Sequence, residues 1–286
     1  MKNYLSLIKF SHTIFALPFA MVGFFLGVQT VGMLDYKLLA LVILCMIFAR
    51  SAAMAFNRYV DRDIDQLNAR TATREIPAGV IKPKNAFAFV LINSLLLIAT
   101  TYFINPLCFY LSPVALLVTL GYSYTKRFTA LCHFVLGLGL ALAPVGAFLA
   151  VTGEFQMIPV LYGLVVLFWV AGFDIIYALQ DVDFDSENKL HSIPAYLGKT
   201  NALVLSKVLH ILVGILVILS AILLQQTPDS ISWIHWIGVG IFLALLFYQH
   251  TLVSSKDLRR VNLAFFTTNG FASAIFGILF VLDYFL

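Results

Sequence analysis

Repeated apolar windows constrain the fold of this chain more than any other feature of its sequence. Each window holds about 20 predominantly apolar residues, the length at which an α-helix crosses the hydrocarbon core of a bilayer. Of the 286 residues, 61% are hydrophobic and 11% are charged, a composition that excludes a soluble domain. We therefore predict an all-α membrane protein with nine transmembrane helices. The predicted helices cover residues 10–30, 36–57, 85–104, 107–125, 132–152, 158–179, 201–224, 232–253 and 262–286.

The basic residues predict how these helices are oriented. All of the 18 Lys and Arg residues except Lys37 and Arg50 fall on one side of the nine-helix zigzag. Because positively charged loops stay in the cytoplasm, we predict a cytoplasmic N-terminus. The net charge of +4 then follows from orientation and does not indicate a nucleic-acid partner. No linker-like segment interrupts the pattern, so we expect one transmembrane domain over residues 1–286.

The acidic residues are clustered. Two short stretches, one after the second predicted helix and one around the end of the sixth, hold nine of the 14 Asp and Glu residues. The first stretch contains Asp61 and Asp65, and the second contains Asp181 and Asp185. Both predicted helices run toward the cytoplasm, so both pairs emerge at the same membrane face. Clustered carboxylates are costly in a membrane chain and therefore indicate a functional site.

The spacing of these acids predicts a metal site. Residues i and i+4 of an α-helix lie on one face about 6 Å apart. Asn57, Asp61 and Asp65 would therefore form one stripe of oxygen atoms, and Asp181 and Asp185 a second. Two facing stripes suit Mg²⁺, which binds one or two carboxylates together with water and phosphate oxygens. Solvated ion pairs at the membrane surface are the alternative.

Charge balance predicts that cations complete this site. Four carboxylates and a diphosphate carry more negative charge than two Mg²⁺ ions neutralise, so several cations are needed as well. Asp63 and Asp183 would point away from the two stripes if these segments are helical. The basic residues expected at the same membrane level are Arg58, Arg62, Arg70, Arg74, Lys126 and Arg127. For each of them the alternative is that it only sets the orientation of the protein in the membrane.

Two charged residues are predicted to lie deeper in the membrane. Arg50 precedes Asn57 by seven residues, and Asp174 precedes Asp181 by the same interval, so each lies two helical turns further in. One interpretation is a structural ion pair between them, and the other is a pocket for an anionic polar substrate. His12, near the start of the first helix, is expected to pack at the interface.

Four segments of the chain resemble the UbiA superfamily of intramembrane aromatic prenyltransferases. NRYVDRDIDQLNARTATREIPAG is similar to its first Asp-rich signature, and FDIIYALQDVDFDSE is similar to the second. IKFSHTIFALPFA and GYSYTKRFT extend the resemblance, which covers nearly the whole chain. The chain departs from the pattern at Arg58, where many members carry Asp, and Arg58 could face the diphosphate instead.

The resemblance implies a fold and an activity. The nine helices would surround a central cavity, and a polyprenyl diphosphate would bind through Mg²⁺ with its tail between helices. Metal and cations would help the allylic bond ionise, and an electron-rich aromatic ring would attack the cation. The implied metal-binding residues are Asn57, Asp61, Asp65, Asp181 and Asp185, with Asp61 and Asp181 essential for catalysis. The implied diphosphate ligands are Lys126, Arg127, Arg58, Arg62 and Arg74.

The resemblance also implies an acceptor site. Arg50 would bind the carboxylate of an aromatic acid, and Asp174 would activate the phenol or take the ring proton. The expected acceptor is 4-hydroxybenzoate, in respiratory quinone synthesis, with 1,4-dihydroxy-6-naphthoate as the alternative. The expected location is the bacterial inner membrane, with the active site facing the cytoplasm. An ion-coupled transporter is the alternative from another functional class.

Overall fold

The named secondary-structure elements are all helices in the residues that the computed structural model describes, which are 2–8, 15–227 and 231–286. Two of these elements are not α-helices, a 3₁₀ turn at Leu179–Asp181 and a π-helical segment at Leu263–Thr268. The α-helices are α1 (Lys2–Leu7), α2 (Leu17–Val31), α3 (Tyr36–Val60), α4 (Arg62–Leu67), α5 (Pro83–Tyr102), α6 (Pro106–Thr125), α7 (Cys132–Thr152), α8 (Met157–Ala178), α9 (Val182–Glu187), α10 (Ile193–Gln225), α11 (Trp233–Leu252) and α12 (Asn269–Tyr284).

The membrane-spanning helices agree with the predicted all-α membrane fold. Eight helical segments in the described part of the chain are long and apolar enough to cross a bilayer. α2 matches the first predicted span and is described over 15 residues. Residues 10–14 of that span, which include His12, lie outside the described part of the chain. The count of nine and the orientation of the termini stay predictions.

The predicted separation of two neighbouring spans, 85–104 and 107–125, is confirmed. α5 ends at Tyr102, and Asn105 then caps α6 by accepting the backbone N–H of Cys108 at 2.8 Å. Pro106 follows at the first helical position, where its missing N–H costs nothing. The Asn105 side chain also donates to the carbonyl of Leu149 at 2.8 Å, which ties this turn to α7.

The seventh predicted helix begins earlier than its apolar pattern indicated. The prediction was 201–224, whereas α10 begins at Ile193, where the Ser192 side chain accepts the N–H of Ala195. Gly198 has a φ of 77° and introduces a kink one turn later. The first turn of α10 thus precedes the kink and is followed by the apolar span. A hydropathy pattern detects the span but not the capped turn before it.

A buried apolar cluster with an aromatic centre packs the helices together. Phe19, Trp169, Phe242 and Phe276, from α2, α8, α11 and α12, are buried in one cluster to which α7 and α10 also contribute. α2 and α7 approach so closely that a Cβ at Gly23 would overlap the carbonyl oxygen of Pro144. Small residues allow such contact between membrane helices, where close packing replaces the hydrophobic effect.

Candidate functional site

The first Asp motif lies at a break between two helices. α3 ends at Val60, and Asp61 stands between α3 and α4 with φ −89° and ψ 5°. The stripe that i, i+4 spacing predicted at Asn57, Asp61 and Asp65 therefore does not lie on one uninterrupted helix. The backbone hydrogen bonds nevertheless keep an i to i+4 pattern, from Asp61 N to Asn57 O at 2.9 Å and from Asp65 N to Asp61 O at 2.7 Å. The Asn57 side chain donates to Asp61 Oδ2 at 3.0 Å, so these two members of the stripe are adjacent.

The second Asp motif lies at a similar break. α8 ends at Ala178, Asp181 closes a 3₁₀ turn, and Asp185 lies in α9. Asp181 is 8% exposed and Asp185 is completely buried. In contrast, the side chains of Asp63 and Asp183 are 78% and 89% exposed, and they face away from the two motifs as expected. The i, i+4 spacing therefore correctly predicted that Asp63 and Asp183 are exposed, unlike the Asp residues of the two motifs.

Each carboxylate of the first motif contacts a different arginine. Arg127, from the loop after α6, donates to Asp61 Oδ1 at 3.1 Å and to the carbonyl of Val60 at 2.8 Å. Arg74, from the loop after α4, donates through Nη1 to both oxygens of Asp65 at 2.6 and 2.8 Å. Two loops distant in sequence therefore supply the compensating charge.

Each carboxylate of the second motif also contacts a cation. Arg70 donates through Nε and Nη2 to the two oxygens of Asp181 at 3.1 and 2.6 Å, and Asn68 adds a hydrogen bond at 3.2 Å. Lys126 Nζ lies 2.7 Å from Asp185 Oδ1. Because Lys126 and its neighbour Arg127 contact opposite motifs, the two motifs must face each other at one end of the bundle.

Crowding of negative charge is visible at Asp61. Burial raises the pKa of the Asp61 carboxyl to about 6, and the charge of Asp65 adds to this effect. Arg127, Lys126 and Arg74 oppose the shift without cancelling it. Carboxylates held so close together favour any further cation that reaches them.

The donor set fits a hard divalent cation. It consists of carboxylates and one amide, the oxygen ligands that Mg²⁺ prefers. Within the described ranges, no group of three or more His, Cys, Asp or Glu side chains is gathered closely enough to hold a metal ion. Mg²⁺ usually binds one or two carboxylates and takes its other ligands from water and substrate phosphates, so a preformed cage is not required.

Two predicted diphosphate ligands are placed differently from the others. Arg62 donates to the carbonyl of Tyr59 at 2.7 Å, covers the Tyr59 ring at 4.8 Å and lies 3.6 Å from the exposed Asp63. Arg58 is 5% exposed, and its buried Nε forms no hydrogen bond with the described residues. No hydrogen bond or ion pair in the described structure joins either guanidinium to a carboxylate of the two motifs.

The two deep charges do not pair with each other in the described structure. Arg50 lines a cavity, and its buried Nε forms no hydrogen bond with the described residues. Asp174 Oδ2 lies 2.7 Å from Nδ1 of His133, a residue in the first turn of α7. The hypothesis of a structural pair between Arg50 and Asp174 is therefore wrong. Our sequence interpretation gave His133 no role, although a His inside an apolar span was a signal.

Tyr122 connects the charged end of the bundle with the cavity. It lies one turn before Lys126 on α6 and lines the cavity together with Arg50. It is close enough to Asp61 and Asp174 to interact electrostatically with both carboxylates. Sequence reasoning included Tyr122 in the segment GYSYTKRFT but assigned it no function.

The cavity has a volume of ≈ 380 Å³ and lies among α3, α5, α6 and α7. Arg50 and Tyr122 stand near the charged motifs, while Leu149 and Phe155 line the cavity near the opposite end of α7. Nearly all of its other lining side chains are aliphatic or small. The structure thus joins a charged layer to an apolar chamber with few polar groups.

Comparisons with known proteins agree with this architecture. Residues 16–273 match the model of the UbiA prenyltransferase family. Over 245 residues the chain is 30% identical to a 4-hydroxybenzoate octaprenyltransferase of Nitrosomonas eutropha, an alignment that covers 86% of this chain and 84% of the relative. The match therefore extends over most of both proteins.

Solved structures share the fold. The apo structure of a UbiA homolog from Aeropyrum pernix K1 superimposes with a TM-score of 0.84 at 31% identity and covers 95% of this chain and 98% of that one. A UbiA homolog from Archaeoglobus fulgidus, bound to DMAPP and Mg²⁺, is similar in fold, with a TM-score of 0.75, 21% identity and 99% coverage of both chains. The chain therefore belongs to the UbiA prenyltransferase family and is a membrane prenyltransferase.

Proposed function

We propose that this protein transfers a polyprenyl group from polyprenyl diphosphate to the ring of an aromatic acid in a reaction that requires Mg²⁺. The observation that carries the proposal is the junction of two environments. Four buried or half-buried carboxylates with four cations form the charged layer, and an apolar cavity begins beside it at Tyr122 and Arg50. A substrate with a diphosphate head and a hydrocarbon tail matches both.

The charged layer suits the diphosphate head. Asn57, Asp61, Asp65, Asp181 and Asp185 would hold Mg²⁺, which supplies Lewis-acid stabilisation of the departing diphosphate when bound. Cations placed at a site where negative charge develops lower the barrier without costly reorganisation. The four cations that already contact the motif carboxylates, and are therefore within reach of a diphosphate bound between them, are Arg70, Arg74, Lys126 and Arg127.

The cavity suits the tail and the reacting carbon. Its apolar walls would bury isoprenoid units and keep water from the allylic cation. Tyr122 lies where the head would meet the tail, and an aromatic ring at that point is suited to stabilising positive charge. Arg58 and Arg62 stay predicted diphosphate ligands, although their present contacts favour a lesser role.

The deep charges suit an acidic aromatic acceptor. Arg50 has donors free for a carboxylate, which a guanidinium can bind through two parallel hydrogen bonds. In the reaction the allylic C–O bond breaks and its electron pair leaves with the diphosphate. A ring carbon then bonds to the allylic carbon, and the proton lost from that ring carbon goes to Asp174.

The names of relatives support 4-hydroxybenzoate as the first candidate acceptor, because the matched relative from Nitrosomonas eutropha is named for that substrate. The homolog bound to DMAPP and Mg²⁺ supports the diphosphate and the metal. The alternative acceptor, 1,4-dihydroxy-6-naphthoate, also carries a carboxylate, so Arg50 does not distinguish the two. By the distribution of Lys and Arg, the charged end would face the cytoplasm of a bacterial inner membrane.

The decisive experiment offers both acceptors to the purified protein. The protein in detergent is incubated with Mg²⁺, an allylic diphosphate and each aromatic acid in turn, and products are separated by mass. We expect a prenylated acid and loss of product when Mg²⁺ is chelated. Product from one acid alone identifies the acceptor. No product from either acid, together with ion flux in proteoliposomes, would support the transporter instead.

A further inference from the structure

We infer that His133 is a positioning residue that orients Asp174 to receive the proton from the acceptor ring. The inference rests on the proposed function, in which Asp174 takes that proton. His133 is 3% exposed and lies where the beginning of α7 meets α8 and the first turn of α10. His133 holds the Asp174 carboxylate through Oδ2, and Tyr122, which lines the cavity, is close enough to Asp174 to interact with it electrostatically.

Two hydrogen bonds determine the tautomer of His133. The backbone N–H of Ile193 points at Nε2 with an N to N distance of 3.3 Å. A backbone N–H can only donate, so Nε2 must be the acceptor and the ring hydrogen must be on Nδ1. Nδ1 therefore donates to Asp174 Oδ2 over 2.7 Å. The ring has no freedom to reverse these roles without losing both bonds.

The position of Ile193 explains why this arrangement is stable. Ile193 is the first residue of α10, and the first N–H groups of a helix have no partner within the helix. The imidazole accepts one of them and so satisfies a donor that would otherwise be buried unpaired. The bond also connects α10 to the acceptor site through a single ring.

The geometry leaves one face of Asp174 available. The His133 contact uses Oδ2, no hydrogen bond to Oδ1 occurs among the described residues, and the side chain is 21% exposed. The imidazole orients the carboxylate through one oxygen and leaves the other oxygen without a hydrogen-bond partner among the described residues. Asp174 thus keeps one oxygen oriented and free to accept a proton.

The proton balance assigns different tasks to the two residues. When the ring carbon has bonded to the allylic carbon, its C–H bond breaks and the electron pair restores the aromatic ring. The proton goes to Asp174 Oδ1. His133 does not receive it, because Nδ1 already carries a hydrogen and Nε2 is occupied by the Ile193 N–H.

The test uses two amides that each replace one ring nitrogen. His133→Asn places an amide near Nδ1 and retains a donor to Asp174, whereas His133→Gln places an amide near Nε2 and retains a partner for Ile193. We expect His133→Asn to keep kcat within about threefold of the unsubstituted protein. His133→Gln should lose about 10- to 100-fold in kcat, as when a hydrogen-bonded supporting residue is removed. KM for the prenyl diphosphate should stay nearly constant in both variants.

Controls separate positioning from folding. His235→Asn removes another buried imidazole, 1% exposed and 3.4 Å from the Tyr162 hydroxyl, and should lower thermal stability without changing kcat. In an Asp174→Asn background, His133→Gln should cause little further loss, because its effect passes through Asp174.

Several results would overturn the inference. One is an equal kcat in His133→Gln and the unsubstituted protein. Another is a larger loss of kcat in His133→Asn than in His133→Gln. A third is a loss from His133→Gln that is as large in the Asp174→Asn background as in the otherwise unsubstituted protein. These results differ from failure of the proposed function, in which the unsubstituted protein forms no prenylated aromatic acid. Thermal unfolding in detergent, measured on every variant, identifies any loss that comes from misfolding.

Discussion

The charged layer and the deep pair of charges hold their ionic groups in opposite ways. In the charged layer, all four motif carboxylates contact a cation, with N to O distances from 2.6 to 3.1 Å. Two turns deeper, Arg50 has no ion pair among the described residues, and Asp174 has the imidazole of His133 as its partner. The same chemical groups are therefore compensated in one layer and kept apart in the other.

The difference indicates what each layer binds. When a diphosphate and its metal bind, each ion pair can be replaced by two stronger contacts. The carboxylate then contacts the metal, and the cation contacts the diphosphate. An unpaired guanidinium inside a membrane protein carries an energetic cost that a bound anion would offset. The charged layer, which we call the outer layer, is therefore suited to a diphosphate with its metal. The deep charges Arg50 and Asp174, which we call the inner layer, are suited to the carboxylate of an acceptor and to the proton that its ring loses.

The largest expected effect tests the outer layer. Asp61→Ala and Asp181→Ala should each reduce turnover by about 10³-fold or more, since each removes a group that supports stabilisation of the leaving group. Asp63→Ala and Asp183→Ala are matched controls, because they remove an Asp from the same segments at exposed positions, and their turnover should be nearly unchanged. Initial rates at limiting and saturating Mg²⁺ provide the measurement. If turnover falls equally in both pairs of variants, Asp61 and Asp181 contribute no more to the reaction than the exposed Asp63 and Asp183.

A smaller effect is expected at Arg50 in the inner layer. Arg50→Gln should raise KM for the aromatic acid by about 30-fold, because leaving a buried carboxylate unpaired costs on the order of 2 kcal/mol or more. KM for the prenyl diphosphate should change much less. Steady-state kinetics with each substrate varied in turn distinguish the two constants. If the diphosphate KM rises more, Arg50 belongs to the outer layer and the comparison fails.

The smallest expected effect concerns the replacement of Arg70 by Mg²⁺ as the partner of Asp181. Arg70→Gln removes the cation that now occupies both oxygens of this carboxylate, so Mg²⁺ meets less competition. The Mg²⁺ concentration for half-maximal activity should fall, by no more than about fivefold, because the Arg70 side chain is partly exposed and solvent screens its charge. Arg259→Gln is the control, since Arg259 pairs with Asp257 on an exposed loop. A rise in the required Mg²⁺ would show that Arg70 does not compete with the metal.

Much of the fold and part of the site could be predicted before the structure. The apolar windows located the eight long membrane helices to within a few residues, except at α10, where a capped turn and a kink precede the apolar span. Periodicity also separated Asp61 and Asp65 from the exposed Asp63. It did not reveal the helix breaks at Asp61 and Asp181, because hydropathy does not report local backbone torsions.

The sequence by itself determined that the chain is a helical membrane protein with two clusters of carboxylates and a set of basic loops. These properties depend on composition and on spacing along one helix, which are local quantities. Only the tertiary structure decided that Arg70 contacts Asp181, 111 residues away, and that His133 rather than Arg50 is the partner of Asp174. Such pairings depend on how helices and loops pack in three dimensions, and sequence spacing carries no information about those distances.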